Sequence, residues 1–228
     1  MSSARDVRAL ATSNVEHYLE AIYVLSVETH NPFAARIAEY LGVSPPSVTQ
    51  AMRRLRRDGL VEDDNGKAIR LTPKGLAEAE KVVRRHRLAE RWAYDVLGLD
   101  WAACHREAHH LEHALTPLIE ERLWQSLDRP TTCPHGNPIP GLAASDLPQL
   151  HTLDEAGEGA DIVVDRVFEQ VEGLGEFLGY LQELGLVPGT ALQVLRRTPS
   201  GISCLLGERQ VEVSHETARR LLVRPRTA

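Results

Sequence analysis

The chain has 228 residues, 43% of them hydrophobic, which is enough to bury cores for two domains and a small third. Lys+Arg 26 against Asp+Glu 32 give a net charge of −6, which argues against a protein that coats nucleic acid over its whole surface but leaves room for a local basic face. Cys104, Cys133 and Cys204 are too few and too widely spaced for a disulfide scaffold or a zinc finger. The first ten residues lack a signal-peptide core, and no apolar run of about 18 residues suggests a membrane span, so a reducing cytoplasm and no membrane partner are expected.

Ser13 followed by Glu16 has the form of a capping box and predicts a helix through about Ser26, with Leu19, Ile22, Tyr23 and Ser26 facing a core. His17 and Glu20 stand three apart on it; alone, such a pair is a solvated face. Ala34–Leu41 predicts a second helix ended by Gly42. Ser44 then caps a third that opens on Pro45-Pro46, a position where proline costs nothing because the first amides lack intrahelical partners. Two helices around a tight turn make a helix-turn-helix.

The third helix presents short hydrogen-bonding side chains and then arginines. Leu60-Val61-Glu62 and Ile69-Arg70-Leu71 flank Asp64-Asn65-Gly66-Lys67, whose Asn-Gly is a hairpin turn, so the unit is a winged helix. Candidate contacts to double-stranded DNA are Ser44, Pro46, Ser47, Thr49, Gln50, Arg53, Arg54, Arg57 and, on the wing, Lys67.

Thr72-Pro73-Lys74-Gly75 opens a long helix to about Leu97, with Leu76, Ala79, Val83, Leu88 and Trp92 as its core pattern. After Gly98-Leu99-Asp100 a second is expected from roughly Trp101 to Leu127. Along these two helices His86 and Glu90 stand four apart, as do His105, His109 and His113, with Glu112 three from His109. Imidazole and carboxylate on shared faces suit a divalent first-row metal, although any one of these histidines alone reads as a solvated residue. Imidazole binds metal only when neutral, so affinity should fall below about pH 6.5. His110 lies about a quarter turn from His109 and reads as surface. It also occupies the place where the zincin motif needs glutamate, which removes that hydrolytic motif. A metallohydrolase of another kind and a metal-storage or chaperone protein are the rival readings, and both leave the winged helix idle. Leu111, Leu115, Leu118, Ile119 and Leu123 exceed what one partner helix can cover and predict a homodimer face.

Asp128–Gly159, with five prolines and several glycines, reads as an extended connector that carries Cys133 and His135. Beyond it, strands at Asp161–Val164, Ala191–Leu195, Ile202–Leu206, Gln210–Val213 and Leu221–Val223, with a helix at Leu174–Leu184, predict a small barrel.

Five ordered motifs carry a family resemblance: Glu16-His17-Tyr18-Leu19-Glu20-Ala21-Ile22-Tyr23, Ser44-Pro45-Pro46-Ser47-Val48-Thr49-Gln50, His86-Arg87-Leu88-Ala89-Glu90-Arg91, Glu112-His113, and Cys133-Pro134-His135-Gly136-Asn137-Pro138-Ile139-Pro140-Gly141. Over nearly its whole length the chain resembles the metal-dependent regulators typified by diphtheria toxin repressor and the manganese transport regulator, in the long form. The resemblance implies a mainly α N-terminal part, made of a winged helix-turn-helix and a helical dimerisation domain, followed by a small all-β SH3-like (FeoA-like) barrel. The corresponding spans are 1–75 for the DNA-binding domain, 76–142 for metal binding and dimerisation, 143–159 for the linker and 160–228 for the barrel. It further implies a primary metal site at His17, Glu20, His109, Glu112 and His113, and a second at His86, Glu90 and His105, with Cys133 and His135 joining in some members and Glu172 and Glu176 aligning loosely.

Two positions depart from the family pattern. His17 stands where iron-responsive members have methionine and manganese-responsive ones aspartate, and His109 where they have cysteine and glutamate respectively. An N/O shell without sulfur favours Mn(II) or Fe(II), at about two ions per subunit. The expected protein is thus a homodimeric, metal-activated regulator of palindromic operators, a repressor of manganese or iron uptake genes, with no small-molecule substrate and no enzymatic activity.

Overall fold

Helix α1 (Ala4–Thr29) starts well before the expected capping box, so Ser13 lies inside it. Between Ala4 and Ala11, alanine, arginine and leucine, residues that lose little on entering a helix, outnumber Asp6 and Val7 six to two, and this favours extending α1 past the local start signal. The computed structural model describes residues 4–29, 32–63, 68–142, 150–169 and 174–226, with side chains from 15–28, 32–62 and the last three ranges. The Asn65-Gly66 turn, Lys67 and Glu172 lie outside them.

Leu19, Ile22 and Leu25 of α1 pack on Ile37 of α2 (Ala34–Leu41) and on Val48, Met52 and Leu55 of α3 (Pro45–Arg57). Gly42 ends α2 at φ 62°, and the Ser44 side chain accepts from the Ser47 amide to open α3. Strands β1 (Val61–Asp63) and β2 (Ile69–Leu71) pair antiparallel and feed Val61 and Ile69 into the same core. This is the winged helix-turn-helix expected from sequence.

Thr72 caps α4 (Pro73–Asp95) by accepting from the Gly75 amide. Ala79, Val83 and Leu88 are buried as expected, whereas Leu76 is exposed. Asp100 caps α5 (Trp101–Leu111) through the Ala103 amide. The single helix expected to Leu127 is broken: a 3₁₀ turn spans Glu112–Ala114, and α6 (Pro117–Ser126) restarts from Thr116. Pro117 lacks an amide donor, its ring would strike the carbonyl four residues back, and it drives the preceding residue out of helical geometry. Within one subunit α6 buries none of its residues, and Leu118 and Ile119 are 68% and 47% exposed, an apolar face of the kind that a second copy covers.

The C-terminal strands β3 (His151–Thr152), β4 (Asp161–Val167), β5 (Ala191–Thr198), β6 (Gly201–Leu206), β7 (Arg209–Ser214) and β8 (Leu221–Pro225) form one antiparallel sheet in the order β3-β8-β4-β5-β6-β7. Bulges at Val164/Arg166 and Val194/Arg196 curl it. Helices α7 (Leu174–Leu184) and α8 (His215–Ala218) complete the unit. Residues 151–155, read from sequence as connector, supply β3 and a 3₁₀ turn whose Leu153 is fully buried in the barrel core.

Trp101, the first residue of α5, is also part of that core, and its amide donates to Gln182 Oε1 of α7 at 2.9 Å. The barrel is therefore seated on the helix that carries the histidines. The loop 131–141 is stitched to β4: Asn137 Nδ2 donates to the Val167 carbonyl at 3.0 Å, and the Val167 amide donates to the His135 carbonyl at 3.1 Å. Gly136 permits the approach, since a Cβ there would lie 2.1 Å from the Asp165 carbonyl oxygen.

A similar close approach joins the reading head to α4. A Cβ on Gly75 would sit 1.8 Å from the Leu60 carbonyl oxygen, so Gly75→Ala must push backbone apart. The expected cost is about 1–3 kcal/mol, read as a lower urea midpoint at unchanged denaturant slope.

Candidate metal centre

Four segments converge on His86. α1 brings Glu16, His17 and Glu20, and α4 brings His86 and Glu90; α5 and its 3₁₀ turn bring His105, His109, Glu112 and His113, and the pinned loop brings Cys133 and His135. His86 Nδ1 lies 2.7 Å from Glu112 Oε2 and 3.9 Å from Glu20 Oε1. Its Nε2 lies 3.2 Å from Glu90 Oε1, which also accepts from His105 Nδ1 at 2.8 Å and sits 3.3 Å from His135 Nδ1. On the other side Glu112 Oε1 is 4.0 Å from His17 Nε2 and 3.6 Å from His113 Nε2.

Four groups have donor atoms all within 4.8 Å of one another: His17-Glu112-His113, Glu20-His86-His109-Glu112, His86-His105-His109 and Glu90-Cys133-His135. The two sets expected from the family resemblance are thus not separate in space. His86, assigned to the second set, stands among the primary residues, and His109 bridges both. Glu176 stands exposed in the first turn of α7 and belongs to none of the groups, because α7 meets α5 through Gln182 instead. Glu16 went unassigned as a site residue, yet its Oε2 is 3.3 Å from His113 Nδ1 and its Oε1 accepts from Arg85 at 2.9 Å. Its spacing of four from Glu20 was the available signal.

Glu20, Glu90 and Glu112 are all buried, which is costly for carboxylates unless positive charge lies beside them. Protons on imidazoles supply part of it. Burial draws the His86 proton affinity down, but Glu90 and the hydrogen bond to Glu112 outweigh this and hold its pKa well above the usual value. His135 is raised in the same way by Glu90 and Cys133. Burial disfavours the Glu90 anion, but His135 and His86 win and hold its carboxyl well below the carboxylate range. Glu20, where burial dominates, is pushed up to about 7. His109 is pushed down to about 2 by burial and by its neighbours His86 and His105, so it stays neutral and its lone pair stays free. The Cys133 thiol is pushed up to about 11 by burial and by Glu90.

Even so, Glu90 Oε2 and Glu112 Oε1 are buried with no hydrogen-bond partner. The orphaned Glu112 oxygen faces the His17 and His113 nitrogens, and the cluster as a whole fits a divalent cation: carboxylate and imidazole donors dominate, with one sulfur at the Glu90-Cys133-His135 end.

The residues expected to contact DNA belong to none of these groups. Ser44, Pro46, Ser47, Thr49, Gln50, Arg53, Arg54 and Arg57 are all exposed on or beside α3. A groove of ≈ 760 Å³ between α1 and α3 has Val15, Tyr18 and Val43 on its walls and Arg53, Arg54 and Arg57 along it.

Residues 11–69 match the family model for the iron-dependent repressor N-terminal DNA-binding domain, 72–141 the iron-dependent repressor metal-binding and dimerisation domain, and 151–225 the FeoA domain. The iron-dependent repressor IdeR of Mycobacterium bovis is 39% identical over 219 residues, covering 91% of this chain and 95% of that one. The chain belongs to the iron-dependent repressor family. Diphtheria toxin repressor of Corynebacterium efficiens is 38% identical over 188 residues, covering 79% of this chain and 82% of that protein. A solved manganese-dependent transcriptional repressor in complex with manganese superposes with a TM-score of 0.83 at 29% identity, covering 92% of this chain and 99% of that one. As a member of this repressor family the chain is not an enzyme, and among its described residues no helix is long and apolar enough to cross a membrane.

The charge balance within this family member predicts the pH dependence of metal binding. Near pH 7 with no metal bound, His86 holds a proton and Glu20 is about half-protonated, and those protons would have to leave for either to act as a ligand. Metal affinity should therefore rise with pH from about 6 to 8, a higher range than free imidazole alone would give. Calorimetry in buffers of different ionisation enthalpy should show net proton release on Mn(II) binding, larger at pH 6.5 than at pH 8.5 and smaller in Glu20→Gln.

Proposed function

We propose that this chain is a homodimeric repressor whose grip on a palindromic operator is set by Mn(II) or Fe(II) at the cluster around His86. In this reading His17, Glu20, His86, His109, Glu112 and His113 form the primary set, and Glu90, His105, Cys133 and His135 the second, for about two ions per subunit. The observation that carries the reading is the double duty of α1: His17 and Glu20 reach the cluster, while Leu19, Ile22 and Leu25 of the same helix lie in the core that holds α3.

A bound divalent ion supplies the positive charge that lets Glu20 and Glu112 stay together as anions. His17 and Glu20 then hold α1 against α4 and the turn after α5, and α3, packed on α1, keeps one orientation. In the dimer this fixes two recognition helices at a separation matching half-sites about 34 Å apart. A full change from one to ninety-nine per cent competent needs on the order of 5 kcal/mol of differential binding. The preference for Mn(II) or Fe(II) rests on the sulfur-free primary set. Since nitrogen-rich shells bind zinc and nickel more tightly in the Irving–Williams order, selectivity would follow geometry and metal supply in the cytoplasm.

The test uses a duplex selected from a randomised palindromic library by the Mn(II)-loaded protein. Affinity for it should be about 100-fold tighter with Mn(II) than with chelator, and Glu112→Gln should raise the half-activating Mn(II) concentration at least about tenfold. Equal affinity with and without metal would overturn the proposal. On the same duplex, Arg53→Ala should reduce the log–log salt slope by about one.

A further inference from the structure

Helix α1 is attached to the rest of the chain at a second point, two turns beyond Glu20. Glu28, in its last turn, accepts a hydrogen bond at 2.6 Å through Oε1 from the backbone amide of Glu169, just past the end of β4. The same residue of the barrel is fixed from the other side: Glu169 Oε2 accepts from buried Arg87 of α4 at 3.0 Å, and Arg87 also donates to the Pro138 carbonyl. Phe168 and Val167, immediately before it, bond to the Arg220 and His135 carbonyls. The barrel itself is anchored to α5 through Trp101 and Gln182. The amide that grips Glu28 therefore belongs to a rigid joint rather than to a free loop.

From Glu20 to Glu28 is eight residues, about 12 Å of helix. A rod held at one point can still swing, and one held at two points this far apart cannot. Resting on the metal-activated reading above, we propose that the Glu28–Glu169 contact is a clamp through which the C-terminal barrel sets the tilt of α1, and so the grip of the reading head on DNA. Glu28 is a positioning residue: the His17 and Glu20 end of α1 answers to metal, and the Glu28 end answers to the barrel.

The test compares full-length wild type, Glu28→Ala and Glu28→Gln, each saturated with Mn(II), on the duplex selected from the randomised palindromic library. Glutamine keeps an Oε1 acceptor, and alanine removes it. The alanine variant should bind about tenfold more weakly, as expected for loss of one charge-assisted hydrogen bond, and glutamine should recover most of that loss. Hydrogen-exchange mass spectrometry should show faster exchange both in residues 22–29 and in residues 161–169 of the alanine variant, a pairing that simple fraying of α1 would not give. Wild-type affinity in Glu28→Ala, a glutamine variant as weak as alanine, or faster exchange confined to α1 would each overturn the clamp. If wild type itself bound no selected duplex in Mn(II), the regulatory reading would fail, and the exchange comparison would still decide whether the barrel holds α1.

Discussion

The carboxylate of Glu112 has no exposure to solvent, and one of its oxygens has no hydrogen-bond partner. Glu20 and Glu90 are nearly as buried, and all three surround the imidazole of His86. Such a group of anions is tolerated in a low-dielectric interior only with compensating positive charge, and the rest of the structure follows from where that charge comes from. Protons on His86 and His135 provide part of it. A cation would provide it more fully, at the cost of those protons, which would couple occupancy to pH.

Each side chain of the cluster is attached through its own element to something else. His17 and Glu20 ride on a helix whose opposite side is the core of the reading head. His105 and His109 ride on α5, whose first residue is built into the barrel. Cys133 and His135 sit in a loop stitched to β4. Little in this arrangement can respond to charge at His86 without moving a helix. α6 leaves Leu118 and Ile119 exposed within the span that matches the family's metal-binding and dimerisation domain.

Histidine at both 17 and 109 makes the cluster of candidate metal ligands nitrogen-rich. Burial and the neighbouring His86 and His105 push the His109 pKa down to about 2, whereas burial pushes Glu20 up to about 7. The one sulfur, Cys133, lies at the far end of the cluster with its thiol pushed up to about 11, where it must surrender a tightly held proton to become a ligand. The two ends of the cluster thus differ in softness and in proton cost.

Local chemistry settled much of this in advance. Capping residues such as Ser44 and Thr72, the turn glycine at 42 and the four-residue spacing of His86 with Glu90 act over a few residues of chain, so they were readable from the sequence and hold in the structure. Thr116-Pro117 was an equally local signal that breaks the long helix, although helical periodicity across it suggested continuity. Spacing could not say that His86 would join both ligand sets, that Glu16 would reach His113, that Trp101 and Leu153 would enter the barrel core, or that Glu28 would meet Glu169. Those contacts depend on how each helix is rotated and tilted against its neighbours. Periodicity fixes which side chains share a face, and only the packed tertiary structure decides what that face meets.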